Sequence, residues 1–123
     1  GIGKQVKMLG KVDREKICRC LSMADCFVLT SNSETFGLAY IEAIASGLPV
    51  IATRCGGPED FVTEENGLLI SRNNMDELVE SMRYMYDNAQ NYDSEKMSNE
   101  ISYRFCAENI AEKIIEAYES IAK

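Results

Sequence analysis

The chain has 123 residues, 46% of them apolar and 27% charged, which is the size and composition of one ordinary globular domain and excludes disordered, collagen-like and coiled-coil chains. Its longest apolar stretches, such as residues 26–29 and 50–52, fall far short of the roughly 20 residues needed to cross a bilayer, and no signal-peptide hydrophobic region opens it. The net charge of −7 is uneven. Residues 1–73 hold 9 acidic and 8 basic groups and residues 74–123 hold 11 and 5, so the acidic half repels phosphate backbones and argues against a nucleic-acid partner.

In chain order, short β-rich runs alternate with helical patterns, which predicts an α/β fold with a Rossmann-like parallel sheet and flanking helices. Residues 6–9 are expected as a strand. A helix over 13–24 follows, with Asp13 as N-cap and Ile17, Leu21 and Ala24 on one face. Among its neighbours Lys4, Lys7, Lys11, Arg14, Lys16 and Arg19 outnumber the acids, which suits either a solvated helix face or a surface for an anion. Residues 26–30 form a continuous apolar strand, expected to be buried on both faces. A helix from residue 36 or 37 to 46 is closed by Gly47, with Pro49 beyond it.

The next strand is expected at 50–53, a helical turn at 59–62 and a strand at 67–70. Asn74 with Glu77 three residues on then starts a helix in capping-box style, striped by Leu78, Val79, Met82, Met85 and Tyr86. Residues 90–99 are expected as a polar connector with at most a short helix. Residues 105–122 repeat the helical period through Ile110, Ile114, Tyr118 and Ile121, a spacing expected to pack against the sheet.

Five cysteines without a C-x-x-C pair, and no histidine, argue against a structural zinc site and remove every catalytic scheme that needs an imidazole base. Carboxylates, backbone amides and bound ligand are left to carry any chemistry. Glu34 stands in the loop after a buried strand, and Glu42 is the one charge in the apolar helix segment 38–45. A carboxylate buried there needs donors, from protein or from ligand hydroxyls. The unpaired amides and dipole at Thr35, Phe36 and Gly37 suit an anion, and Gly37 lets a phosphate approach the backbone. The parts together fit a nucleotide carrying a sugar, against the alternative that Glu34 is a helix-start charge and Glu42 a satisfied structural carboxylate. Gly56-Gly57 is either a second anion nest or a plain turn.

The run from Ser33-Glu34-Thr-Phe-Gly37 through Glu42, Gly47 and Pro49 to Cys55-Gly-Gly-Pro-Glu59 resembles the E-x7-E region of the retaining GT-B glycosyltransferases called group 1 or family 4. The likeness extends back to residue 6 and on to Ile70. It implies that Glu34, the catalytic residue, contacts the donor sugar near the reacting carbon and that Glu42 holds the ribose hydroxyls. It also implies that Thr35, Phe36, Gly37 and Leu38 meet sugar and diphosphate, and that the Val12 backbone meets the base. The implied activity is hexosyl transfer from a UDP- or GDP-hexose to a glycan or lipid-linked acceptor, without metal or other cofactor, in polysaccharide biosynthesis in the cytoplasm at the inner face of the membrane.

By the same resemblance residues 1–123 are a single, partial C-terminal donor-binding domain of a GT-B fold. The N-terminal acceptor domain, and the arginine and lysine that neutralise the donor diphosphate, belong to sequence upstream. In a sheet of order 3-2-1-4-5-6, residues 6–9 and 26–30 would be strands 3 and 4, with the strands between them missing. The early strand then pairs directly with its successor, docks elsewhere, or leaves an edge for self-association. The first 25 residues are expected to be the least family-like. The rival reading is a non-catalytic nucleotide-binding or assembly module.

Overall fold

In the computed structural model, which describes residues 1–122, Val50–Thr53 (β2) is buried at every position. It lies between Phe27–Leu29 (β1) and Gly67–Ile70 (β3) in a three-stranded parallel sheet of order β1-β2-β3, in register Phe27 with Val50 and Val50 with Gly67. Side chains on β2 alternate between two cores, as the pleat requires. Val50 and Ala52 join Tyr40, Ile44 and Phe61 on one face, while Ile51 joins Ile70 and Met85 on the other. The parallel α/β architecture expected from the alternation is present.

The first face is covered by Leu38–Ala45 (α2), whose Tyr40, Ile41, Ala43 and Ile44 are buried. The second is covered by Met75–Asn88 (α3). Arg14–Met23 (α1) is capped by Asp13, which accepts from the Lys16 amide at 2.8 Å, as its sequence predicts. Asn74 caps α3 by accepting from the Glu77 amide, but the box is not reciprocal. The Glu77 carboxylate instead accepts from the backbone N–H and hydroxyl of Ser71, tying β3 to α3.

Residues 6–9 are not a strand. They run as irregular chain outside the sheet, with Met8 90% exposed, because no neighbouring strand offers them a ladder. They lie beside α1, where Lys7, Leu9, Lys16, Arg19, Cys20 and Met23 line a cleft of about 620 Å³. β1 is accordingly an edge, and Val28, expected to be buried on both faces, is 39% exposed. The helical turn falls at Gly57–Asp60, two residues earlier than its charge pattern implied.

Two corrections concern the C-terminal helices. The supposed connector at 90–99 holds most of a full helix, Ser94–Arg104 (α4), capped by Asp93 and buried through Met97 and Ile101 against α2. Ala107–Ala122 (α5) buries nothing, and Ile110, Ile114, Tyr118 and Ile121 stay exposed, since α2 with α4 and α3 already occupy the two sheet faces. On α3, likewise, Met85 reaches the core but Tyr86 is 87% exposed. No described helix is long and apolar enough to cross a membrane.

Candidate functional site

The loops leaving the carboxyl ends of the three strands converge on residues 30–37. The buried Tyr40 hydroxyl donates to the Leu29 carbonyl, the Thr53 hydroxyl from β2 donates to the Ser31 carbonyl, and Arg72, just past β3, donates to the Asn32 carbonyl at 3.1 Å. Burial raises the Tyr40 phenol above its ordinary pKa, so it remains a donor at neutral pH. Glu34 itself forms a one-residue parallel bridge with Gly56. Its amide donates to the Cys55 carbonyl and its carbonyl accepts from the Gly57 amide at 2.7 Å. The Ser31 hydroxyl donates to Glu34 Oε1 at 2.8 Å.

That bridge explains the paired glycines. A Cβ on Gly56 would stand 2.7 Å from the Glu34 carbonyl oxygen, and one on Gly57 would collide with the Phe36 backbone. The two loops therefore touch backbone to backbone, which only glycine permits. The anion-nest alternative fails on hydrogen bonds, because the Gly57 amide is taken by Glu34 and the Gly56 amide by the Glu59 carboxylate at 3.1 Å. The turn reading is the one the structure bears out.

Gly37 is the N-cap of α2 at φ 86°, and it supplies no side-chain cap. Aspartate or asparagine caps α1, α3 and α4. The first amides of α2 thus lack the oxygen acceptor that closes those helices, and they keep the positive end of the dipole open beside Glu34. Phe36 and Leu38 flank this opening as exposed side chains. Phe36 is held edge-on against Phe105, with centroids 5.3 Å apart.

Glu42 departs from expectation. It is not enclosed among apolar neighbours: its side chain is 31% exposed and Oε1 pairs with Nη2 of Arg14 at 3.1 Å. The residues buried in α2 leave Leu38, Ala39 and Glu42 on a shared outer strip, so the carboxylate stands one turn, about 5.4 Å, along the helix from the open amides. The Arg14 contact brings the start of α1 alongside, and with it the half-buried Val12 two residues earlier. Sequence reasoning missed Arg14, Ser31, Thr53 and Arg72. The one available signal was Arg14, a cation at the positive end of its own helix.

The sequence profile of the family described as Glycosyl transferases group 1 matches residues 1–104. The chain belongs to that family. The match to Glycosyl transferases group 1 begins at residue 1, so the first 25 residues lie inside it, and it runs past Ile70 through α4. The D-inositol 3-phosphate glycosyltransferase of Corynebacterium urealyticum is 30% identical over 98% of the chain and 29% of its own length. Sucrose-phosphate synthase from Thermosynechococcus elongatus superposes with a TM-score of 0.81 at 28% identity, over 98% of this chain and 31% of that one. Anabaena HepE, solved in complex with UDP, gives 0.74 at 27% identity, over 87% and 30%. The chain therefore spans about a third of these relatives, and its sheet and helices have the fold of part of a GT-B domain.

Proposed function

We propose that this chain is the donor-binding part of a retaining hexosyltransferase of the family 4 kind, with Glu34 and Glu42 as its E-x7-E pair. The observation that carries the reading is the fixed approach of Glu34 to an uncapped helix start at the carboxyl ends of parallel strands, the place where open α/β sheets bind nucleotides. The donor is a UDP- or GDP-hexose and the acceptor a glycan or lipid-linked sugar. The UDP bound by the Anabaena relative supports a nucleotide ligand for the chain. An acceptor domain outside these residues completes the enzyme, which acts in the cytoplasm at the inner membrane face. The free β1 edge supports self-association of the chain by itself.

On this reading the diphosphate rests on the amides of Gly37 and Leu38, with Thr35 and Phe36 against the sugar. Glu42 accepts from the ribose hydroxyls, and the Val12 backbone faces the base. As the bond from the anomeric carbon to the diphosphate oxygen breaks, negative charge grows on the leaving group and positive charge on the sugar. The α2 amides and dipole meet the first, aided by basic side chains from upstream, and Glu34 lies close to the second. Ser31 holds Glu34 Oε1, leaving Oε2 for a sugar hydroxyl. We assign no metal to the step, because the helix start supplies the positive field.

The test is transfer from UDP- and GDP-hexoses by the protein at its full natural length, with the product anomer determined by NMR and EDTA added in parallel. Retention of configuration, activity unchanged by EDTA, and a kcat lowered about 100-fold or more by Glu34→Gln are expected from loss of one electrostatic contact in the transition state. An inverted product, or full activity in Glu34→Gln, contradicts the reading. Binding without transfer favours the non-catalytic module.

A further inference from the structure

Residues 1–23 stand apart from the rest of the chain in charge. They hold the cations Lys4, Lys7, Lys11, Arg14, Lys16 and Arg19 against Asp13 and Glu15, while the remaining residues hold 7 cations against 18 acids. Most of the cations in the segment are also unpaired. Arg14 meets Glu42 and Arg19 meets Glu15, but Lys4, Lys7, Lys11 and Lys16 form no ion pair among the described residues. α1 buries none of its side chains. Apolar groups stand in water between the charges, with Met8 90%, Met23 83% and Ile2 67% exposed.

A solvated helix face accounts for the lysines but gives no reason for the methionines among them. A nucleic acid fits poorly, since residues 1–23 hold no aromatic side chain to stack on a base and the acidic remainder repels phosphate chains. The cleft beside α1 brings the two components together. It is lined by Lys7, Lys16 and Arg19 along with Leu9, Met23 and Ala24, and by no acidic residue. Cations around an apolar patch match anionic headgroups above an acyl boundary, the pattern by which a basic segment lies in a lipid interface. The same surface repels the 18 acids elsewhere in the chain, which sets the face that turns toward it.

We propose that residues 1–23 are a docking surface for an anionic lipid membrane, with Lys7, Lys16 and Arg19 on the headgroup phosphates and Met8, Leu9 and Met23 at the acyl boundary. This gives the membrane-face placement a surface on this chain, rests on that placement alone and does not depend on the donor site. The cations supply a long-range attraction that salt screens, and the methionines a short-range apolar contact that salt leaves in place. Substitutions of the two kinds therefore act differently.

The experiment is flotation of the protein at its full natural length with vesicles of phosphatidylcholine alone and of equal parts phosphatidylcholine and phosphatidylglycerol, in wild type, Lys7→Ala/Lys16→Ala/Arg19→Ala and Met8→Ser/Met23→Ser. Wild type should bind the anionic vesicles and not the neutral ones, and binding should weaken as salt shortens the screening length from about 10 Å at 0.1 M to about 3 Å at 1 M. The triple variant should bind about a hundredfold more weakly, about fivefold for each cation. The methionine pair should bind about tenfold more weakly with the salt dependence of wild type. Melting temperatures close to wild type separate docking from folding, and titrations with UDP and GDP should be unchanged in both variants. If wild type ignores the anionic vesicles or binds neutral ones equally, or if the triple variant binds as wild type does, the proposal is overturned. Displacement by glycerol phosphate at the concentration of the lipid headgroup also overturns it, since the surface is then a site for a free anion. Loss of nucleotide binding with vesicle binding intact removes the donor reading and leaves this one standing.

Discussion

A methyl group at Gly57 would occupy space already filled by the Phe36 backbone, so the loop carrying Glu34 and the loop after β2 must separate to admit it. Gly57→Ala should lower the unfolding free energy by about 1–3 kcal/mol, the cost of forced overpacking, and abolish nucleotide binding. Denaturant unfolding alongside titration checks both. Glu34, Thr35, Phe36, Gly37, Leu38 and Glu42 were legible as a cluster because they lie within nine consecutive positions. The reason for Gly56-Gly57 was not, because it depends on a contact with a segment twenty residues away, and Arg14 is more distant still from Glu42.

Two other side chains set a pH dependence. Burial, with the Asp25 charge beside it, pushes the Cys26 thiol up to about 11, and burial also raises Tyr40. Both groups hold their protons more tightly folded than unfolded, so their contribution is complete below the unfolded values and is lost as pH rises through the folded ones. Stability should therefore fall from about pH 9 toward pH 11, and Cys26→Ser should flatten that decline. An unfolding curve independent of pH over this window would contradict the assignment.

At the scale of elements, α4 is the clamp on α2. Met97→Ala and Ile101→Ala should each cost about 2–5 kcal/mol, as expected for emptying a buried site, although both lie in a stretch that reads as polar. Asp93, Met97 and Ile101 carried the signal for this helix, but Lys96, Glu95, Asn99 and Glu100 around them diluted its apolar period. α5 is the reverse case, a regular stripe with no sheet face left to cover. Tyr118→Lys should change stability by no more than about 0.5 kcal/mol, as at other exposed positions, and a loss of several times that size would show that α5 is packed. β2, β3, α1 and α3 were legible because cap, period and length agreed within each segment. Residues 6–9 had the composition of a strand, and a strand also needs a neighbour, which no local pattern supplies.

Across the whole molecule, three parallel strands, two covering helices and the α4 clamp hold one loop cluster at the carboxyl edge of the sheet. The alternation of elements made that architecture visible in the sequence, while the edge position of β1 followed only from seeing which strands pair. The central claim is that this edge binds a nucleotide sugar, with the phosphates at the start of α2 and the ribose at Glu42. Its most direct test is a thermal-shift and calorimetric titration of the protein with UDP, GDP, ADP and their hexose conjugates, with Glu42→Ala as control. The account predicts that one nucleotide stabilises the fold, by about 2.7 kcal/mol at a hundredfold excess over its Kd, and that Glu42→Ala removes the effect. Stabilisation by none of the nucleotides, or equal stabilisation of Glu42→Ala, would contradict it.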